Sequence, residues 1–416
     1  MTVAAGPGRR RAAVAFIFIT VTLDIVANGV IGPVWPNLVK GFLGGDTSRS
    51  ALAFGVFSTA FAAAQVICAP ILGSLSDRYG RRPVILISCL GLAIDYVIMA
   101  TAPDLKWLFV GRLLAGITAA NITTANAYIA DVTPPEKRAA AYGVLSAAFG
   151  VGFILGPMLG GLLGQLGPRL PFWAAAGLTF ANAAYGFLVL PESLAPENRS
   201  PFSLRLANPF AAIGMLASKG RLMGLAMVNF MARLVNALFA TVWALYVADR
   251  YGWGPWMIGV SMTVVGASSL VVSAGLVRPT VAWLGERKTL AVGLLFAAAG
   301  FAALGWASRG WAFLVAIFVL CLWGLAGPCI QSLMTRLVSD SEQGRLQGAN
   351  TGLISIAGLI GPSLFAVTFA FAATPAHKAQ GLIGLPFFLA SALMLAAVVM
   401  AWRATRAPEA AAAAAR

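Results

Sequence analysis

Residues Ala51 to Ile85 read ALAFGVFSTAFAAAQVICAPILGSLSDRYGRRPVI. This stretch changes from a long apolar run to a short charged loop, and this change is the clearest indication of the fold class. A run of about 20 mostly apolar residues can cross a bilayer as a helix, and residues 51–75 form such a run. Asp77, Arg78, Arg81 and Arg82 follow, and a second apolar run begins directly after them. The stretch therefore predicts two membrane helices joined by a short, strongly charged loop.

Apolar runs of this length recur along the whole chain and predict an all-α integral membrane protein with twelve transmembrane helices, called spans 1 to 12 below. The spans cover residues 12–39, 51–75, 84–102, 107–130, 139–164, 170–190, 222–247, 257–282, 290–307, 311–335, 346–372 and 381–402.

Composition agrees with this prediction and excludes several classes of protein. The 416 residues are 59% hydrophobic and 10% charged, whereas soluble chains are about 25% charged. Soluble enzymes, nucleic-acid binders and disordered chains are therefore excluded. A single histidine, His377, leaves little room for a histidine metal site or Ser-His catalysis. We expect no metal and no cofactor. The four cysteines lie in apolar stretches and are interpreted as buried thiols: Cys68, Cys89, Cys321 and Cys329.

The positions of the basic residues predict the orientation. With a cytoplasmic N-terminus, 20 of the 29 lysines and arginines lie on the cytoplasmic side, 7 lie outside and 2 lie within spans. This bias predicts that both termini are cytoplasmic. The net charge of +15 then reflects topology and contact with anionic lipids rather than nucleic acid. Arg9–Arg11 precede an apolar run as in a signal peptide, but the run is too long and contains Asp24.

An internal repeat predicts two halves. Adding 205 residues relates Gly80 to Gly285, Gly143 to Gly348, and Gly156-Pro157 to Gly361-Pro362. We therefore expect two pseudo-symmetric six-helix bundles with a substrate site near the bilayer midplane between them. The bundles cover residues 12–190 and 222–402, joined by a cytoplasmic linker at 191–221. Within the linker, Leu204 to Ala217 is either a membrane-surface helix or plain chain, and the alanine-rich tail to Arg416 is expected to fray.

Two glycine-bearing segments are candidate gating elements. Gly80 permits a tight turn with positive φ and Gly73 a close helix approach, while the charged loop provides either a breakable latch or only a topology signal. The repeat copy carries Ala282 where Asp77 stands, so the predicted latch is one-sided. In span 5, small residues and a proline predict close packing and a hinge. The candidate gating residues are Gly73, Asp77, Arg78, Gly80, Arg81, Arg82, Gly152, Gly156, Pro157, Gly160 and Gly161.

Charged residues inside spans are candidate functional residues, because each costs free energy unless it is paired or hydrated. Asp24, Asp95 and Arg112 are the candidates for proton coupling; Asp24 ranks first because Asn28 and Trp35 share its predicted face. Alternatively, Asp95 forms a hydrogen bond that only packs one helix against a neighbour, and Arg112 is a structural centre of hydrogen bonds. The candidate residues of a substrate cavity are Asn28, Trp35, Gln65, Thr123, Asn126, Asn229, Arg233, Asn236, Trp243 and Gln331.

These motifs carry a family resemblance. Gly73 to Ile85 (GSLSDRYGRRPVI) resembles the loop 2–3 signature of the major facilitator superfamily. Gly152 to Gly161 (GFILGPMLGG), Arg112 to Gly116 (RLLAG) and Leu23 to Pro36 (LDIVANGVIGPVWP) resemble motifs of its drug/proton antiporters. DYVIMATAP, AYIADVT and LGERK, which begin at residues 95, 127 and 284, resemble bacterial tetracycline/proton efflux proteins. The resemblance implies the major facilitator fold and a loop that pins the two halves together.

The chain also departs from the tetracycline/proton antiporters. Ala297 stands where they carry an aspartate, Ser268-Ser269 where they carry a histidine, and Arg233 where they carry a glutamine. The cavity thus loses a negative charge and gains a positive one. An anionic, zwitterionic or neutral substrate fits it at least as well as tetracycline or its metal chelate.

The sequence therefore predicts an exporter in the bacterial inner membrane that exchanges protons for small amphipathic organic compounds. The expected partners are a small-molecule substrate, protons and membrane lipids, with no nucleic acid. The chain is expected to be a monomer, and the proton gradient is expected to drive transport. The first alternative is a metabolite or organic-anion symporter or facilitator. A third class, an intramembrane enzyme or lipid flippase, lacks a clustered nucleophile, base or metal set at one depth.

Overall fold

The computed structural model describes residues 7–200, 202, 216, 220–339 and 342–406, the side chains of 7–14, 135, 139 and 140 excepted. The side chains of Arg9–Arg11, nearly all of the segment from Leu204 to Ala217, and the alanine-rich tail lie outside the described part. The predictions made for those segments therefore stay predictions.

The described chain is helical, and its α-helices follow the predicted spans to within a few residues. In chain order the helices are α1 (Pro7–Ile31), α2 (Trp35–Phe42), α3 (Thr47–Tyr79), α4 (Arg81–Thr101), α5 (Leu105–Thr118), α6 (Asn121–Val132), α7 (Arg138–Leu166), α8 (Leu170–Val189), α9 (Gly220–Thr241), α10 (Trp243–Tyr251), α11 (Pro255–Val271), α12 (Val277–Trp306), α13 (Gly310–Cys321), α14 (Ala326–Thr335), α15 (Gln343–Ala372), α16 (Pro375–Ala379) and α17 (Leu385–Thr405).

Among the described residues, 11 helical segments are long and apolar enough to cross a membrane. One of them, Pro255–Trp306, has 52 residues and joins α11 to α12 through a π-helical turn at Val272–Leu276. Gly285 interrupts it with non-helical backbone angles, φ 75° and ψ 161°. This interruption divides the segment into spans 8 and 9, so the twelve predicted spans and the all-α membrane fold are confirmed.

Contacts divide the described residues into two compact units. The first contains those within Met1–Asn208 and Ala244–Gly266, and the second those within Pro209–Trp243 and Ala267–Arg416. In the first unit, α1 packs on α7 and α8, and α4 on α8. In the second unit, α9 packs on α15 and α17, and α12 on α17. The predicted bundle limits, 12–190 and 222–402, stay a prediction.

Spans 4 and 10 are interrupted near their middles, and spans 1 and 7 in their last third. The breaks fall between Ile31 and Trp35, at Ala119–Ala120, at Val242, and at the 3₁₀ turn Leu322–Leu325. Non-helical backbone at membrane depth is tolerated where it is buried in protein or lines a water-filled cavity. The same four spans carry most of the predicted cavity residues.

The repeat is visible in the backbone of each unit. Gly80 and Gly285, 205 residues apart, both have positive φ, 107° and 75°, at the turn into the next span. A Cβ added at Gly156 would lie 2.7 Å from the Gly29 Cα of α1, and one added at Gly361 would lie 3.1 Å from the carbonyl oxygen of Leu234 in α9. Leu234 is also 205 residues beyond Gly29, so equivalent helices pack at equivalent points.

Candidate functional site

Asp24 is contacted by two amide side chains and one thiol, which come from three other helices of the first unit. The Nδ2 atoms of Asn121 (α6) and Asn182 (α8) donate to its two carboxylate oxygens, Asn182 over 3.1 Å. Asn182 also donates to the carbonyl oxygen of Thr20 over 2.9 Å. The Cys89 thiol lies 4.0 Å from Asp24 Oδ1. Among the described residues Asp24 forms no ion pair, so only neutral donors hold this half-buried carboxylate.

Asp95 and Arg112 pair with each other in the interior of the first unit. Asp95 of α4 is 0% exposed and Arg112 of α5 is 4% exposed, and their side chains form an ion pair. The Arg112 guanidinium also lies over the rings of Trp35 and Phe61, 4.7 and 5.9 Å from their centroids. These two predicted proton-coupling residues are thus brought together.

Trp35 does not extend the face of Asp24 by helical spacing. Span 1 breaks after Ile31, so α2 gives Trp35 a separate orientation, and its ring packs 4.4 Å from the Phe54 ring. Asn28, Thr123 and Asn126 are exposed. Gln65 on α3 is half-buried. The role of these residues in a substrate cavity stays a prediction.

In the second unit, α9 carries Asn229, Arg233 and Asn236 at helical spacing. Arg233 and Asn236 are exposed, and Asn229 is half-buried. Asn229 donates to Asn350 Oδ1 over 3.4 Å, and Asn350 donates to Gln331 Oε1 over 3.5 Å. This amide chain ties α9, α15 and α14 together beside the polar stripe.

Trp243 does not lie on the face of α9 that carries Asn229, Arg233 and Asn236. The helix break at Val242 separates it from α9, and its side chain is 0% exposed. It packs in an aromatic cluster with Phe239, Phe313 and Phe387, at centroid distances of 5.2, 4.9 and 6.3 Å. In this conformation its side chain is part of the core, and its predicted contact with substrate stays a prediction.

The charged loop between spans 2 and 3 forms a network around Arg81. The Arg81 guanidinium pairs with Asp77, donates to Ser76 Oγ over 2.7 Å, and donates to Asp131 Oδ2 over 3.1 Å. Ser193 Oγ also donates to Asp131 Oδ2, over 2.9 Å. The Asp77 side chain is 48% exposed, which is more than that of Arg81 or Asp131 in these two ion pairs. Arg81 is therefore the arginine that pairs with Asp77 in this structure, and the role of the pair as a latch stays a prediction.

Glu192, which follows span 6, caps the same loop. Its carboxylate accepts the backbone N–H groups of Arg81 and Arg82 over 2.8 and 3.2 Å, at the N-terminus of α4. A Cβ added at Gly80 would lie 2.2 Å from Glu192 Oε2. Gly80 is thus required twice, for its positive φ and for the room that the carboxylate occupies.

The other predicted loop residues have separate positions. The Arg82 guanidinium donates to the Phe187 carbonyl oxygen and lies 5.6 Å from the centroid of its ring. Arg78 is exposed and lies over the Tyr79 ring. A Cβ added at Gly73 would meet no heavy atom within 4 Å, so the expected close helix approach at Gly73 is absent from this conformation.

The second unit contains a charge-reversed counterpart of this network. Arg336 Nη2 lies 2.7 Å from Glu286 Oε1, and Ser332 Oγ donates to the same oxygen over 2.8 Å. Glu286 is 205 residues beyond Arg81, and Arg336 is 205 residues beyond Asp131. The repeat copy thus lacks the Asp77 equivalent, as predicted, but it keeps the ion pair with its charges exchanged.

The span 5 glycines lie at close helix contacts, as predicted. Added Cβ atoms at Gly152, Gly156 and Gly160 would lie 2.4 Å from Ile25 Cγ2, 2.7 Å from Gly29 Cα and 2.0 Å from Val30 O of α1. One at Gly161 would lie 2.9 Å from the Pro255 carbonyl oxygen of α11. Helix α7 continues unbroken through Pro157. A role of this helix as a hinge stays a prediction.

The sequence analysis missed Asn121, Asn182, Glu192 and Asn350. Asn121, Asn182 and Asn350 lie in apolar spans, where the rule applied to charged residues would have found them had it been extended to amides. The contact of Glu192 with the loop joins residues about 110 positions apart in sequence, and no local pattern reveals it.

The four cysteines are free thiols, three of them buried and Cys68 half-buried.

A membrane fold with polar side chains at mid-span and interrupted helices beside them belongs to the class of solute transporters. A family model described as Major Facilitator Superfamily matches residues 17–362 and 225–416. The chain belongs to this superfamily, and the predicted family is confirmed.

Within and beyond this superfamily assignment, the chain is similar to the following two relatives and one solved structure. It is 38% identical to the tetracycline resistance protein, class C, of Escherichia coli over 370 residues, which cover 89% of this chain and 93% of the relative. It is 28% identical to multidrug resistance protein 2 of Bacillus subtilis (strain 168), over 82% of this chain and 84% of the relative. The crystal structure of a D-xylose-proton symporter has a TM-score of 0.76 at 17% identity, covering 95% of this chain and 98% of that one. At that identity the structural likeness concerns the fold alone.

Proposed function

We propose that this protein exports small amphipathic organic compounds or drugs in exchange for protons, by alternating access. Similarity to the tetracycline and multidrug resistance proteins over most of the chain supports an efflux role. The bacterial relatives support a place in the inner membrane. In this proposal the chain works as a monomer and both termini are cytoplasmic, the latter from the bias of basic residues toward one side. The proton gradient supplies the driving force without a bound cofactor.

The environment of Asp24 is the observation that carries the proposal. Pairing with an arginine, as between Asp95 and Arg112, favours the charged form of a carboxylate. Asp24 has only neutral donors, two amides and a thiol, which favour its charged form less strongly than the full positive charge of an arginine would. One helical turn on, Asn28 is exposed, which provides a polar route toward the carboxylate. Asp24 is therefore the residue of the predicted set best suited to take up and release a proton.

The other polar groups have supporting roles in the proposal. The Asp95–Arg112 pair fixes α4 and α5 against α2 and orients Trp35. The Arg81 network and the Glu192 cap form a charged assembly at the cytoplasmic ends of spans 2, 3, 4 and 6. Its surface-exposed member, Asp77, is the group that would be released when the latch opens.

The test is transport driven by a pH gradient in proteoliposomes. Wild-type protein should accumulate a drug against its concentration gradient when the lumen is acid, because protons leave as the drug enters. Asp24→Asn should abolish accumulation while keeping the fold, because an amide of the same size cannot release a proton. Asp104→Asn is the matched control, because Asp104 is exposed in an outer loop and an asparagine can also cap α5.

Accumulation by Asp24→Asn equal to that of the wild type would reject Asp24 as the proton site. The symporter alternative predicts the opposite polarity: accumulation inside when the outside is acid. A facilitator predicts equilibration of the drug in either gradient, without accumulation.

A further inference from the structure

Helix α9 presents a charged face at mid-membrane depth. It buries Val228, Leu234, Val235 and Leu238 and leaves Arg233 exposed. Together, α9 and α10 run from Gly220 to Tyr251. At about 1.5 Å per residue, Arg233 lies about 20 Å from the start of α9 at Gly220 and about 12 Å from its end at Thr241, beyond which α10 adds nine residues. An arginine side chain is too short to reach either membrane surface from there.

The exposed face of Arg233 must therefore meet water rather than lipid. A guanidinium facing hydrocarbon at mid-membrane costs several kcal/mol, and intramembrane charges accordingly face cavities or partners. Asn236, one turn further along α9, is exposed as well. The repeat supports the same conclusion, because Arg233 is 205 residues beyond Asn28, which is also exposed.

Among the described residues, no carboxylate pairs with the positive charge of Arg233. In the sequence beyond residue 200, every acidic residue lies at or outside the end of a predicted span: Asp249, Glu286, Asp340, Glu342 and Glu409. Two carboxylates lie within predicted spans of the first half: Asp95 is already paired with Arg112, and Asp24 forms no ion pair among the described residues. A strongly basic group in a hydrated part of the membrane interior is thus left free to bind an anion.

We propose that Arg233, with Asn236 beside it, binds the anionic group of the transported compound, so that the substrates are amphipathic organic anions such as carboxylates or sulfonates. A guanidinium binds such planar or trigonal oxyanions through paired, charge-assisted hydrogen bonds. The chain Asn229–Asn350–Gln331 holds α9 in place against α15 and α14. This inference rests on the proposed export function, because it names the substrate class of that exporter.

The test compares three probes that share a naphthalene ring. They are 2-naphthalenesulfonate, the neutral 2-naphthalenesulfonamide and the permanently cationic 2-naphthylmethyl-trimethylammonium. Binding to purified protein in detergent and pH-driven transport in proteoliposomes are both measured. The variants are Arg233→Gln, Arg233→Lys as the charge-retaining change, and Arg309→Gln as the control at an exposed loop arginine.

Wild type should bind the sulfonate roughly ten- to hundredfold more tightly than the sulfonamide, as expected for a hydrogen bond to a charged group. Arg233→Gln should remove this preference, Arg233→Lys should keep most of it, and Arg309→Gln should leave it unchanged. Thermal melting of each variant shows that the fold is intact.

Failure of the wild type to bind the sulfonate, tighter binding of the cation, or an unchanged preference in Arg233→Gln would overturn the inference. Sulfonate binding that depends on Arg233 but without any pH-driven transport would support the inference and reject the proposed exporter function. The binding assay and the transport assay therefore separate the two.

Discussion

At the scale of single residues, the charges within the spans differ in how they are compensated. Asp95 and Arg112 form an ion pair, whereas Asp24 contacts two amides and a thiol, and Arg233 forms no ion pair among the described residues. A buried ion pair contributes little net stability, but removing one partner leaves an uncompensated charge in a dry site. The three situations therefore predict different consequences of mutation.

Asp95→Asn should destabilise the protein by about 3–5 kcal/mol, because it strands the Arg112 guanidinium beside Trp35 and Phe61. The double variant Asp95→Asn/Arg112→Gln should recover a large part of this loss. Thermal unfolding in detergent measures both. A single variant as stable as the wild type would show that the pair carries no buried charge.

Glu192→Gln should slow transport several-fold with a loss of only about 0.5–2 kcal/mol in stability, as for other helix caps. The amide nitrogen cannot accept one of the two N–H groups of α4, so Arg81 loses its fixed orientation toward Asp131. Glu197→Gln is the control, because Glu197 is exposed in the same loop. Equal transport by both variants would show that the contacts of Glu192 with the loop have no role in transport.

At the scale of elements, helix α7 fits against α1 through glycines that have no spare room. The Cα atoms of Gly156 and Gly29 face each other, since each added Cβ would lie within 2.9 Å of the other residue's Cα. A side chain at this point must separate the two helices, because neither backbone can yield locally.

Gly156→Ala should therefore abolish transport and destabilise the first unit by about 1–3 kcal/mol, the usual cost of overpacking. Gly143→Ala is the matched control on the same helix, because a Cβ there meets nothing within 4 Å. Transport rate and melting temperature are measured for both. If the two alanine variants behave alike, the glycine contact is unimportant for the transport cycle.

The spans were predictable from sequence because a membrane helix needs a long apolar run, which is a local property. The break at Val242 was not predictable, because the apolar run continues through it without a glycine or proline. The break between Ile31 and Trp35 contains Gly32-Pro33, a local helix-breaking signal that the prediction of one continuous span did not use. This is why the predicted face from Asp24 to Trp35 is discontinuous and why Trp243 lies in the core. The partners of Asp24 escaped prediction for a related reason, since they come from three other helices.

At the scale of the whole molecule, the two copies of the repeat have kept their backbone features and exchanged their charges. The positive-φ glycines Gly80 and Gly285 are equivalent, while the Arg81–Asp131 pair becomes Glu286–Arg336. At the repeat position of Asp24 the second copy carries Asn229, and at that of Asn28 it carries Arg233. The proton site that we propose therefore lies in one copy, and the proposed substrate anion site lies in the other.

The measurement that tests this account most directly is the pH change caused by substrate alone. Proteoliposomes with a trapped pH-sensitive dye are prepared without a pH gradient, and 2-naphthalenesulfonate is added outside. If the protein exchanges protons for organic anions through Asp24, the lumen becomes alkaline as substrate enters and protons leave, and Asp24→Asn shows no pH change. Acidification of the lumen by wild-type protein, or alkalinisation that persists in Asp24→Asn, would contradict this account.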